Sequence, residues 1–150
     1  MIKGFVTIIV FSLISICSAG QSIDSLQLSD HEIPAGYTQS PDLLCVTPHA
    51  SSFYNQTDMY ASLLGKVVKK SFQSFDKKGD QGSILYFEYE EEFKGGTFLK
   101  GLLWGSGSKA SKSEPDEYYS KGKILIIWSF NLKSDIKTVS KEKVMSVLGK

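Results

Sequence analysis

The run "KILIIWSF" at residues 123–130 carries no charged side chain after its opening lysine. Its isoleucines, leucine and tryptophan favour a strand, and neither face of that strand offers a polar side to water. A chain with such a segment must cover it from both sides. The remaining sequence has to supply the neighbours.

The pattern closest to a helix is "TDMYASLLGKVVKKSFQSF". Met59, Tyr60, Leu63, Leu64, Val67, Val68, Phe72 and Phe75 fall on one broad arc at 100° per residue. Thr57 suits the N-cap and Asp58 the positive end of the helix dipole. The spacing predicts one amphipathic helix over 57–76. Gly65 is its weak point, costing about 1 kcal/mol in a helix interior, and a break there would turn the valines and phenylalanines into a strand. The cluster "DKKGDQG" at 76–82 reads as a turn. After it the period becomes two, and Gly95–Gly96 stands where a two-residue hairpin turn would fall. Folding the chain there sets Phe93 against Phe98, Glu91 against Lys100, Tyr89 against Leu102 and Phe87 against Trp104. "LLCVT" at 43–47 suggests a short strand. "SKEKVMSVLG" at 140–149 suggests a closing helix capped by Ser140. The expected fold is α+β: an antiparallel sheet of three to four strands, built from hairpins, packed against the long amphipathic helix and a C-terminal helix.

The first twenty residues, "MIKGFVTIIVFSLISICSAG", have the form of a secretory signal. Lys3 precedes a short apolar run, and Ser18, Ala19 and Gly20 supply small residues for cleavage. The run is shorter than the roughly 20 residues of a membrane span. An alternative makes Cys17 an acylated anchor, although Ile16 stands where such signals carry a small residue. The expected organisation is a signal at 1–20, an extended lead-in at 21–41 and a single α+β domain at 42–150. The protein is expected to be exported, to the periplasm or beyond, with no transmembrane span once the signal is gone.

The sequence contains no arginine, and its 17 basic residues face 16 acidic ones. Losing Lys3 balances the charge, so nothing draws the chain toward nucleic acid or anionic lipid. Without Cys17, Cys45 has no cysteine to pair with, and stability must come from packing.

The segment "FLKGLLWGSGSKASKSEPDEYY" at 98–119 invites a functional reading. No glycine there has Lys-Ser or Lys-Thr at P-loop spacing, and Gly105 and Gly107 lack the third glycine of a dinucleotide fingerprint. What remains is a greasy strand and a long loop whose end presents Asp116, Glu117, Tyr118 and Tyr119. With Trp104 these are the candidate contact residues, because tyrosine and tryptophan carry much of the energy at protein interfaces. A competing reading folds Tyr118 or Tyr119 back as a cap on the sheet.

Other constellations are weaker. Cys45 and His49 form no helix-face pair across Pro48. Asp30, His31, Glu32 and His49 are consecutive or distant, a poor set of metal ligands. Glu88, Glu90 and Glu92 fall on one outward strand face, with Glu91 on the other, and read as a solvated acidic surface. Asn55-Gln56-Thr57 is a glycosylation sequon, meaningful only in a host with that machinery. No cofactor or metal is expected and no catalytic residue is assigned. The leading expectation is a non-catalytic binding protein with a protein partner in the cell envelope or outside it. The alternative is a carrier holding a small apolar ligand among Phe72, Phe87, Trp104 and Trp128. An enzyme, third in order, would need a cleft joining Cys45, His49, Glu88 or Glu90.

Overall fold

The computed structural model describes residues 22–149, so the expected signal segment and Cys17 lie outside the described residues. In chain order the strands are β1 (Thr38–Ser40), β2 (Val67–Lys77), β3 (Asp80–Tyr89), β4 (Glu117–Lys121) and β5 (Ile124–Ser129). The helices are α1 (Pro48–Asn55), α2 (Ala61–Leu64), α3 (Gly96–Trp104) and α4 (Asp135–Leu148). All five strands join one antiparallel sheet in the order β1-β2-β3-β5-β4, so the class is α+β with one strand more than the sequence suggested. Every residue of β5 is buried, as its composition requires.

Strand alternation divides the core in two. On one face Phe75, Ile84, Tyr86, Ile124, Ile126 and Trp128 meet Ile136, Val144 and Leu148 of α4. Ile23 and Leu26, from a 3₁₀ turn at Ile23–Leu26, complete that layer. The first part of the expected lead-in is therefore packed into the fold. On the other face Leu85, Phe87, Tyr89, Leu125 and Ile127 meet Ala50 and Phe53 of α1, Leu64 of α2, and Leu99 and Leu103 of α3. Helices cover both faces of the sheet. Each fully buried side chain of this size contributes about 1.5–3 kcal/mol relative to exposure.

Four local expectations are corrected. The helix at 57–76 breaks: a 3₁₀ turn at Thr57–Tyr60 and the one-turn α2 end at Gly65, whose φ of +101° a helix cannot accommodate. From Val67 the chain is strand, because pairing with β3 along nearly its whole length outweighs the helical spacing. The hairpin at Gly95–Gly96 does not form. Neither glycine has a positive φ, Gly96 begins α3, and β3 has β2 and β5 as partners instead. A Cβ on Gly95 would stand 2.1 Å from Leu64 Cδ2, so close packing is what requires that glycine. The real hairpin turns are Lys78–Gly79 and Gly122–Lys123, with φ of +83° and +58° at the two glycines. "LLCVT" joins no ladder. The closing helix starts earlier than Ser140: the Ser134 hydroxyl caps it by accepting from Lys137 N at 3.3 Å. Ser140 lies inside it, buried, and accepts a 2.9 Å bond from Trp128 Nε1.

Candidate interaction site

The residues chosen from sequence cluster around β4, the outermost strand on one side of the sheet, but they do not form a loop tip. Asp116 is fully buried just before the strand, and Glu117 to Tyr119 are half-buried within it. Alternation sends Tyr118 to the α3 face, where its ring lies 5.8 Å from that of Trp104. Tyr119 points to the α4 face and packs against that core. The reading in which these tyrosines fold onto the sheet describes what both rings do. Glu117 is engaged by Lys137 at 2.6 Å and Lys141 at 2.9 Å, and these two hold its carboxyl below the usual range against the opposing effect of burial. Its charge is spent within the fold.

Asp116 ties the site together. Its carboxylate accepts from the Thr47 hydroxyl, which also caps α1 by accepting from Ala50 N at 3.2 Å. Its backbone carbonyl accepts from Trp104 Nε1 at 2.7 Å. One residue thus joins the start of α1, the end of α3 and the start of β4. Burial pushes its carboxyl up, and the Thr47 and Ser129 hydroxyls only partly offset that. Asp116 Oδ1 is buried without a hydrogen-bond partner.

Sequence reasoning missed what lies beside this knot. Register pairs Ser40 with Ser74, Ser74 with Ser83, and Ser83 with Ser129, so serines from four strands form a row across the sheet. Over that row runs the segment 43–47, a strap crossing the strands. Leu44 N donates to Ser83 Oγ at 2.8 Å, Val46 N donates to Ser129 Oγ at 3.0 Å, and Ser74 and Ser83 bond each other at 2.6 Å. A chain lying on a sheet needs partners for its backbone, and only short hydroxyls permit so close an approach. The signal was in the sequence as single serines within apolar strands ("SFQSF", "GSILYF", "IIWSF"), but only the register aligns them.

Cys45 sits on the strap among the Ser51, Ser83 and Ser129 hydroxyls, and burial raises its thiol pKa. That favours the unreactive thiol. His49 is exposed on α1. Glu88 lies five residues along β3 from Ser83, roughly 17 Å at strand rise, so the strap cysteine and the acidic end of β3 share no cleft. Glu32 is held by Lys143 at 2.6 Å and by Ser29, which bring its pKa down to about 2. Among the described residues no three His, Cys, Asp or Glu side chains converge as metal ligands. Phe87 and Trp128 lie on opposite faces of the sheet, so the four rings proposed for a carrier cavity do not enclose one space. A groove of about 560 Å³ opens elsewhere, between the strap and the β2–β3 turn. No described helix is long and apolar enough to cross a membrane. The chain matches no family model, no curated protein and no solved structure with which it was compared.

Proposed function

We propose that the protein is an exported, non-catalytic binding module that engages a protein partner through its β4 side. The observation that carries this reading is the position of β4. Among the described residues it is an outermost strand paired with β5 alone, and its half-buried aromatic rings flank it on both faces. An added strand from a partner would meet the Trp104–Tyr118 pair on one face and Tyr119 on the other, which is the usual form of recognition at a sheet edge. The fold holds this edge in place: Asp116 fixes its start, and Glu117 is clamped by two lysines of α4. The raised thiol pKa of Cys45 and its distance from the acidic end of β3 argue against nucleophilic catalysis. Export rests on the form of residues 1–20.

The test is affinity capture from the native envelope fraction with the chain beginning at Gln21, beside its Tyr118→Ala/Tyr119→Ala variant. A partner held by the first, lost by the second, and rebinding as a purified protein at least tenfold more tightly to the first supports the reading. Equal recovery by both baits, with the variant folded, removes the β4 side from consideration. Export is checked separately by sequencing the N-terminus of the natural protein, expected near Gln21.

A further inference from the structure

We infer that the partner of the β4 side is a second copy of this chain, joined to the first by antiparallel pairing of the two β4 strands about a two-fold axis at Tyr119. The inference rests on the proposed β4 function and names its occupant. The backbone fixes which groups an added strand meets. Tyr89 N of β3 donates to Lys123 O at 2.8 Å, so Lys123 turns its main chain toward β3. Direction alternates along an antiparallel ladder. Ile124, Ile126 and Trp128 therefore face β4, and their register partners Lys121, Tyr119 and Glu117 face β5. The Lys121–Ile124 pair agrees, because it closes the two-residue turn Gly122–Lys123 and such turns close on a hydrogen-bonded pair. Tyr118 and Ser120 are left to point their N–H and C=O groups out of the sheet edge, where these groups have no partner among the described residues.

The strand Glu117-Tyr118-Tyr119-Ser120-Lys121 is its own antiparallel complement. With the axis at Tyr119, Tyr118 of each copy stands opposite Ser120 of the other. Each such pair exchanges both of its hydrogen bonds, so every outward group is satisfied. An axis at Tyr118 or at Ser120 instead sets an outward residue against Asp116, before the strand, or Gly122, in the turn. Glu117, Tyr119 and Lys121 share the α4 face by alternation. In this register Glu117 faces Lys121 of the second copy on both sides of the axis, and the Tyr119 rings meet in a non-hydrogen-bonded pair, where side chains come closest. Glu117 is already held by Lys137 and Lys141, and Lys121 Nζ donates to the Leu148 carbonyl. The cross-strand charges therefore select the register, while the backbone bonds and the tyrosines supply the affinity. The opposite side of the sheet is built against pairing. There β1 covers only Ser74–Asp76 of β2, and the rest of that edge carries a register shift between Val67 and Lys69 and the exposed Lys69 and Lys70. The β4 ladder has no shift, and the strand contains no proline. A contact between like edges is isologous, so it closes as a dimer and does not propagate.

The experiment follows the chain beginning at Gln21 by analytical ultracentrifugation and amide exchange between about 10 μM and about 1 mM, the range of a small interface. The protein is expected to pass from monomer to dimer. In the monomer Tyr118 and Ser120 amides are expected to exchange faster than those of Tyr119 and Lys121, and in the dimer that difference closes. Ser120→Pro removes an outward N–H and no bond to β5, so it is expected to keep the fold and to remain monomeric throughout. Lys121→Glu sets like charges opposite each other on both sides of the axis and is expected to weaken the dimer about tenfold. A parent that stays monomeric over the whole range overturns the inference. Capture of a different protein, lost by Tyr118→Ala/Tyr119→Ala, would then leave the β4 proposal standing. A dimer that survives a folded Ser120→Pro, or one in which Tyr118 and Ser120 stay unprotected, is built on another surface and overturns the inference too. Should Ser120→Pro fail to fold, the amide pattern of the parent and the response to Lys121→Glu decide.

Discussion

The two faces of the sheet are closed in different ways. On one, the single helix α4 and a 3₁₀ turn cover a continuous apolar layer, and the polar groups admitted there are matched except for Asp80 Oδ1, which like Asp116 Oδ1 on the other face is buried without a partner. Gln73 exchanges two bonds with the Leu28 backbone at 2.8 and 2.9 Å and accepts from Tyr86 at 2.8 Å. Trp128 finds Ser140, and Lys137 reaches both Glu117 and the carbonyls of Asn131 and Leu132. On the other face three short helices cover only part of the sheet. The rest is roofed by irregular backbone lying on serines, and Asp116 is left with an orphan oxygen. A matched face gives stability and uniqueness. A face roofed by backbone leaves half of the strap's amides, those of Leu43 and Cys45, without a partner among the described residues.

The comparison can be broken most sharply in the two cores. Trp128→Ala on the α4 face and Phe53→Ala on the opposite face are each expected to cost about 3–5 kcal/mol in urea unfolding. Both side chains are almost wholly buried. A Phe53→Ala cost under about 1 kcal/mol would mean that the second face is loosely packed and that the two faces differ in more than their roofing.

Thr47→Ala is the next largest. It removes the α1 cap and the hydroxyl that donates to Asp116, and is expected to cost about 2 kcal/mol. Asp116→Asn tests the same knot by pH. Because burial raises the Asp116 carboxyl, the native state keeps a proton over a range in which the unfolded chain has already lost it. Stability from this group therefore falls as pH rises from the ordinary carboxylate range through the raised native pKa. The variant is expected to lack that slope and to be more stable than the parent by about 1 kcal/mol at neutral pH. A parent whose stability does not fall with pH relative to the variant would contradict the assignment.

Much of the matched face was legible in the sequence, because its signals are local. "KILIIWSF" is apolar on both sides and became a strand covered on both sides, and the expected closing helix is present, with Val144 and Leu148 packed inward. The errors share one cause. Helical and strand spacing coexist in 57–76, and Gly65 with its positive φ decides between them in concert with the β2–β3 ladder, which only the folded chain contains. Gly95–Gly96 carried the signature of a turn but serves contact with Leu64, a partner 31 positions away. The candidate residues 116–119 were found by their chemistry, yet their roles depend on Thr47, Lys137 and Lys141, which no local pattern connects to them. The serine row was invisible for the same reason: each serine is unremarkable in its own strand.

Smaller effects sharpen the contrast. Ser83→Ala is expected to cost about 1 kcal/mol, freeing Leu44 N and leaving Ser74 without its partner. Its signature is faster amide exchange confined to the strap, with β3 unaffected. The Glu32–Lys143 pair contributes least. With the Glu32 pKa lowered to about 2, its contribution is complete above the ordinary carboxylate range and is lost as pH falls toward 2. The pair is half-exposed, so Glu32→Gln is expected to cost less than about 1 kcal/mol at neutral pH. That difference should vanish in acid unfolding curves near pH 2.

The most direct test of the two-face account is residue-resolved amide hydrogen exchange on the chain beginning at Gln21. Tyr86 and Ile126 are expected among the slowest amides. Within the strap, Leu44 and Val46 are expected to be protected, while Leu43 and Cys45 exchange near the rate of a free chain. Equal protection across 43–46 would mean that the outward amides are already satisfied, and equal exposure would mean that the strap is not seated on the serines. Either result contradicts the account.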